Sequence, residues 1–209
     1  MLVTRLKIVI LTILRNITFL ARQGLPLRGD RAEDNSNFKQ LLLLQAKDNS
    51  KILDWISKPI NSFTSKDIQN EILKLMALKL LRGITANIRK AKLFTILADE
   101  ATDAGDKEQL TIVFHWVDEA LLIHEDFIGL HEIDDPSTAG IMGMIKQVLL
   151  ICNLNVNQLR GQCYDGASVM SGLQNGVAAQ VQKLEPYILI AMGTHLILPL
   201  VTPLKGVLC

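Results

Sequence analysis

At 209 residues, with 49% hydrophobic and 21% charged side chains, the chain is long enough for one sizeable core or for a domain with a smaller extension. Aromatic residues make up only 5%, so the core must be built mainly from Leu, Ile and Val. The 22 Lys and Arg against 21 Asp and Glu leave a formal charge of +1, which excludes a chain-wide basic field for nucleic acid and leaves any such contact to a local patch.

Residues 1–22 read as a helix of mixed polarity. The apolar run Ile8 to Leu14 follows Arg5 and Lys7 in the manner of a signal peptide. Arg15 and Asn16 stop it and no small-residue cleavage site follows, so an amphipathic helix is the expectation. Gly24 to Asp30 is a break punctuated by Gly24 and Pro26. Asn35 or Ser36 can cap a helix running through Phe38, Leu41 and Leu42 to about Lys47. A short helix around Ile52 to Ile56 must end before Pro59. Thr64-Ser65-Lys66-Asp67 is a helix start, and Ile68, Ile72, Leu75, Leu78, Leu81, Ile84 and Ile88 then recur at three- and four-residue steps. The other face of this long helix, over about 65–90, carries Lys74, Lys79, Arg82, Arg89 and Lys90, a solvated face that could also meet phosphates.

After Lys92 the period changes. Leu93 to Ala98 is a short apolar run that delivers Asp99 and Glu100 to its C-terminal end, as a central strand would. Leu110 to Val117 and Phe127 to Ile133 are further strands, joined by turns short enough for hairpins. Ser137 caps a helix through Ile141, Ile145 and Leu149, and Leu159 to Tyr164 is a fourth strand ending at Asp165-Gly166. A helix around Val177 to Leu184 stops before Pro186, and Ile188 to Ala191 begins a fifth strand. The order β-β-β-α-β-α-β, preceded by helices, predicts an α/β fold of incomplete ribonuclease H-like type. Two regions are expected, a helical one over 1–92 and the ribonuclease H-like one over 93–209. The uncharged stretch Tyr187 to Leu204 approaches a membrane span in length, but Pro199, Pro203 and its strand-like start favour a buried strand, and no membrane partner is expected.

Strand ends of an α/β sheet are where such folds place chemistry. In this topology the first and fourth strands are neighbours, so Asp99 and Asp165 would face each other. Paired carboxylates suit Mg²⁺ or Mn²⁺, hard cations that take oxygen ligands, and two such ions can activate a water or hydroxyl for phosphodiester cleavage. The bland alternative is also open: Asp99, Glu100, Asp103, Asp106 and Glu108 crowd one loop as solvated acids usually do, and Asp-Gly is an ordinary turn. His115, His124 and His131 have no Ser, Cys or acid placed to form a triad, and Gly161, Gly166, Gly172 and Gly176 match no nucleotide-binding loop. Cys152, Cys163 and Cys209 are odd in number, widely spaced and without Cys-x-x-Cys, which suits unpaired thiols in a reducing compartment.

The segment Phe94-Thr95-Ile96-Leu97-Ala98-Asp99-Glu100-Ala101-Thr102-Asp103 resembles the first-strand motif of hAT-superfamily DNA transposases. It is similar in particular to their domesticated relatives with MYM-type or TTF zinc fingers and a hAT dimerisation domain. Arg160 to Gly172 (RGQCYDGASVMSG) resembles the second motif, and Phe19 to Gly29, Glu33 to Phe38 and Asp67 to Leu73 also match. By this resemblance Asp99 and Asp165 are the first two members of a catalytic Asp-Asp-Glu set and candidate metal ligands, while Asp103 is not taken as one. No counterpart of the third acid precedes Cys209. Of a family His-Cys-x-x-His segment only His195 survives in Ala191 to His195, and the zinc finger and dimerisation region have no match.

The resemblance therefore implies a degenerate transposase-derived fragment without strand-transfer activity, binding Mg or Mn weakly at Asp99 and Asp165. DNA as partner and a nuclear location follow from the resemblance alone, with the cytoplasm as the default. Two other readings stay open. One is a metal-dependent nuclease completed by a Glu from elsewhere, and the other is an interaction module that binds a protein partner or itself. An open sheet face would favour association and weaken the isolated chain.

Overall fold

A computed structural model describes residues 2–28, 36–58, 63–102, 105–165 and 167–192. They fall into two compact units, residues 1–79 and 80–209. Among the described residues no helix is long and apolar enough to cross a membrane.

The first unit is helical. It holds α1 (Leu2–Arg22), α2 (Asn37–Ala46), α3 (Ser50–Ile56) and the first half of α4 (Lys66–Ala91). Val9, Ile13, Ile17 and Leu20 recur at three- and four-residue steps and line one side of α1, which buries them against Phe38 and Leu42 of α2. Asn16 is buried in the same seam. Its Nδ2 donates to Gln45 Oε1 (3.1 Å) and its Oδ1 accepts from Gln45 Nε2 (2.9 Å), so neither amide is left unsatisfied across the packing. Ser36 caps α2 by accepting from Lys39 N–H, and Asn49 caps α3 through Lys51 N–H. The α4 stripe read from periodicity is only partly used: Leu75 and Leu78 are 60% and 41% exposed, while Ile88 is buried.

The second unit is the α/β sheet domain: β1 (Phe94–Thr102), β2 (Glu108–Val117), β3 (Ile123–Glu132), α5 (Thr138–Ile151), β4 (Leu159–Tyr164), α6 (Ser168–Ser171), α7 (Val177–Leu184) and β5 (Leu189–Met192). The sheet order is β3-β2-β1-β4-β5. β1 is central, antiparallel to β2 and parallel to β4; β2 and β3 pair antiparallel, and β4 and β5 parallel. This is the ribonuclease H-like arrangement predicted from the element order. Ser137 caps α5 as expected, accepting from Gly140 N–H. Three strands are longer than the sequence pattern suggests: β1 continues through the acids to Thr102, β2 starts at Glu108 rather than Leu110, and β3 starts at Ile123 rather than Phe127.

One face of the sheet carries the core. Phe94, Ile96 and Ala98 of β1 and Leu110, Ile112, Phe114 and Trp116 of β2 pack against Ile141, Ile145 and Val148 of α5 and Val177 and Val181 of α7. Phe94 and Phe114 meet edge to face with ring centroids 5.1 Å apart. Each such fully buried side chain contributes about 1.5–3 kcal/mol. Strand alternation sends the intervening residues to the opposite face, which is buried at Thr95 and His115 and opens from Leu97 toward Asp99. There Leu97, Val113 and Phe127 stand in one cross-strand row, and Asp99, Thr111 and Leu130 in the next. Phe127 and Leu130 are 58% and 59% exposed.

Candidate functional site: two strand-end carboxylates

The β1–β4 register sets Leu97 beside Cys163 and Ala98 beside Tyr164. One step further along the two parallel strands brings Asp99 beside Asp165, on strands about 4.8 Å apart. Both acids are exposed and both line a cavity of about 450 Å³ on the open face, floored by Leu97, Val113 and Cys163. Asp165 Oδ1 accepts from Ala167 N–H (3.2 Å), a turn contact that holds the carboxylate at the mouth of the strand. The structure thus brings together the two acids that the sequence singles out, 66 positions apart.

The neighbouring acids need a correction. Asp99 and Glu100 do not belong to a solvated loop: they lie within β1, and Glu108 opens β2. Asp103 lies outside the described residues. Glu100 pairs across the sheet with Leu110, so it leans to the covered face while Asp99, opposite Thr111, leans to the open one. One carboxylate oxygen of Glu100 is buried with no hydrogen-bond partner among the described residues. Burial first, then the carboxylates of Asp165, Glu108 and Asp99, push its pKa above the usual range. Glu100 therefore senses the acid pair without joining it on the same face. Sequence reasoning names Glu100 among the crowded acids but does not find its environment, which is made largely by other strands.

At the other end of the cavity His115, buried on β2, meets Glu125 of β3 with Nε2 and Oε2 2.5 Å apart. Its Nδ1 is buried without a partner among the described residues. His124 does not reach the cavity. It stacks on Trp116 at 4.2 Å and pairs with Asp118, and Trp116 Nε1 donates to Asp126 (2.7 Å). Burial lowers the pKa of His131. Tyr164, next to Asp165, is buried, and its hydroxyl has no partner among the described residues; burial, then neighbouring Cys163, push that hydroxyl's pKa up. His195 and Cys209 lie outside the described residues, and Cys152 and Cys163 are buried and not joined in a disulfide among the described residues.

As a donor set the site is all oxygen, the chemistry of a hard divalent cation. Two carboxylates on adjacent strand ends fit such an ion loosely. Among the described residues no three His, Cys, Asp or Glu side chains come together as a metal site.

A mixed five-stranded sheet with one acid in the C-terminal half of its central strand and another just past the end of that strand's parallel neighbour defines an RNase-like α/β domain. The chain matches the DUF4371 family model, described as ZMYM1/FAM200, RNase-like domain, over residues 3–176, and it belongs to that family. It is also 23% identical over 180 residues to the human protein named 52 kDa repressor of the inhibitor of the protein kinase, and 22% identical to the mouse protein of that name. Each alignment covers 81% of this chain, and the chain spans about a quarter (24%) of the length of these curated relatives.

Proposed function

We propose that this chain carries a hAT-type, transposase-derived RNase-like domain that holds Mg²⁺ or Mn²⁺ loosely through Asp99 and Asp165 and, in these 209 residues alone, does not cleave or join DNA. The observation that carries the reading is the side-by-side placement of the two acids with no third ligand beside them among the described residues. When bound, a divalent ion would supply Lewis acidity toward a phosphodiester oxygen. The chain's own part is to present two oxygens on a rigid parallel strand pair, with Ala167 N–H orienting one of them. DNA as partner and action in the nucleus belong to the same proposal. The regulatory name of the human and mouse relatives supports a retained, non-mobile role.

Thermal unfolding of the 209-residue chain with and without Mn²⁺ tests the site, with Asp165→Asn and Asp99→Asn alongside. At ten times the dissociation constant, binding to the folded state adds about 1.4 kcal/mol. For a chain of this size that raises the midpoint by about 3–6 °C. The rise is expected in the parent and in neither variant. An equal response in all three, or none in the parent, would refute the metal site. Mn²⁺-dependent nicking of duplex DNA by the parent would refute the inactivity and favour a complete nuclease.

A further inference from the structure

The sheet unit, residues 80–209, carries 9 Lys and Arg against 14 Asp and Glu, an excess of five acids. Three of those acids, Asp99, Asp165 and Glu125, line the cavity of about 450 Å³ on the open face, and among the described residues no Lys or Arg lines it. Clefts lined by one sign of charge concentrate the opposite ion. Between its acids the floor of this cleft is apolar, at Leu97 and Val113. A hydrated metal ion gains nothing from such a floor, whereas an aliphatic stem is buried by it.

The closed end of the cleft supplies a second, independent feature. His115 lines the cavity and is 8% exposed, and its Nδ1 is buried with no hydrogen-bond partner among the described residues. An ionised Glu125 carboxylate only accepts, so the facing Nε2 carries the shared proton. In a neutral imidazole that leaves Nδ1 as an acceptor with no donor. A carboxylate and an unpaired acceptor side by side call for a group with several N–H donors, as an ammonium is. Asp99 and Asp165 call for another at the open end.

From these observations we infer that the cleft binds a linear aliphatic diamine. One ammonium sits at Asp99 and Asp165, the other at Glu125 and His115, and the methylene stem lies over Leu97 and Val113. Asp99 is opposite Thr111 on one side of β2, and Glu125 is opposite His115 on the other. Four residues along β2 and two strand spacings across it set the two ends about 17 Å apart. An extended eight-carbon diamine measures about 11 Å between its nitrogens. A charge-assisted contact of about 2.8 Å at each end covers the remainder. Shorter diamines cannot engage both ends at once. A charge in the middle of the stem, as in spermidine, would be set on the apolar floor without a partner. The inference uses the placement of the acid pair and does not require that the pair hold a metal.

The test is isothermal titration calorimetry of the full 209-residue chain with 1,8-diaminooctane, in metal-free buffer at low salt and neutral pH. Saturable binding of one molecule per chain is expected. Glu125→Gln and Asp165→Asn are each expected to weaken it about 5-fold. Asp134→Asn, which removes an exposed acid outside the cavity, is expected to leave it unchanged. On the parent, 1-aminooctane is expected to bind about 5-fold more weakly, having one charged end. For 1,4-diaminobutane the loss is about 15-fold, because each half-buried methylene contributes about twofold. Circular dichroism checks that the variants fold, and if one does not, the amine series on the parent decides alone. Absence of saturable binding overturns the proposal, as does equal weakening by Asp134→Asn. So does 1,4-diaminobutane or spermidine binding as tightly as 1,8-diaminooctane, since the acids would then attract cations without a shaped cleft. Thermal unfolding with Mn²⁺ separates this inference from the metal site. Glu125→Gln is expected to weaken the diamine and keep the parent's response to Mn²⁺. A parent that responds to Mn²⁺ but does not bind the diamine refutes this inference alone, and the reverse refutes the metal site alone.

Discussion

Replacing Glu100 by Gln is expected to stabilise the chain at neutral pH. Glu100 has a buried oxygen with no hydrogen bond among the described residues, and its pKa is raised by burial and by the carboxylates of Asp165, Glu108 and Asp99. An acid whose pKa is higher in the folded than in the unfolded chain penalises the folded state whenever it is ionised. The penalty is complete above the folded pKa and disappears below the unfolded value near 4.5. Like charges across a sheet cost about 0.2–1 kcal/mol. Glu100 faces three, but Asp99 and Asp165 are exposed and screened by solvent. A net gain of about 0.5–1 kcal/mol is therefore expected, which is a rise of about 1–4 °C in the midpoint for a chain of this size. Gln keeps the shape of the side chain, so packing is unchanged. The assay is thermal unfolding of parent and variant followed by circular dichroism at pH 7 and at pH 4. The reasoning fails if the variant is no more stable at pH 7. It also fails if the gain is the same at pH 4, because the effect would then lie in the unsatisfied oxygen rather than in its charge.

Two further substitutions probe the sheet. A Cβ added at Gly161 would lie 2.6 Å from Thr95 Oγ1, and Thr95 is fully buried; Gly161→Ala is expected to cost about 1–3 kcal/mol. Adding Thr95→Ala should recover most of that loss in urea unfolding, and no recovery would show that the strain lies in the backbone instead. The edge-to-face pair of Phe94 and Phe114 is expected to give a coupling of about 0.5–1.5 kcal/mol in a double-mutant cycle with Leu at each position, and an additive cycle would remove the aromatic term.

The sequence pattern carries the architecture where local rules and tertiary packing agree. Leu159 to Tyr164 is read with its true ends because Asp165-Gly166 stops an apolar run, and Ser137 is found as a cap because a hydroxyl precedes an apolar stripe. The start of β3 is not legible. Ile123-His124-Glu125-Asp126 reads as polar loop, and its polar residues are held in a strand by partners on β2: His115 for Glu125, and Trp116 for both His124 and Asp126. The acid pair is legible as two strand ends, since parallel neighbours bring such ends together. The role of Glu100 is not, because the two larger of its charged influences, Asp165 and Glu108, come from the end of β4 and from β2.

The central position of β1 also orders the assembly of the sheet in time. β1, β2 and β3 are consecutive in the chain and joined by short turns, so their pairing closes only small loops. β4 reaches β1 across the whole span from Thr102 to Leu159, and that longer closure carries a larger entropic barrier. The meander is therefore expected to form before the parallel pairing that seats Asp165 beside Asp99. A chain halted midway would hold three strands, one acid and no site, so that any ion the acid pair binds reports a sheet that has finished folding.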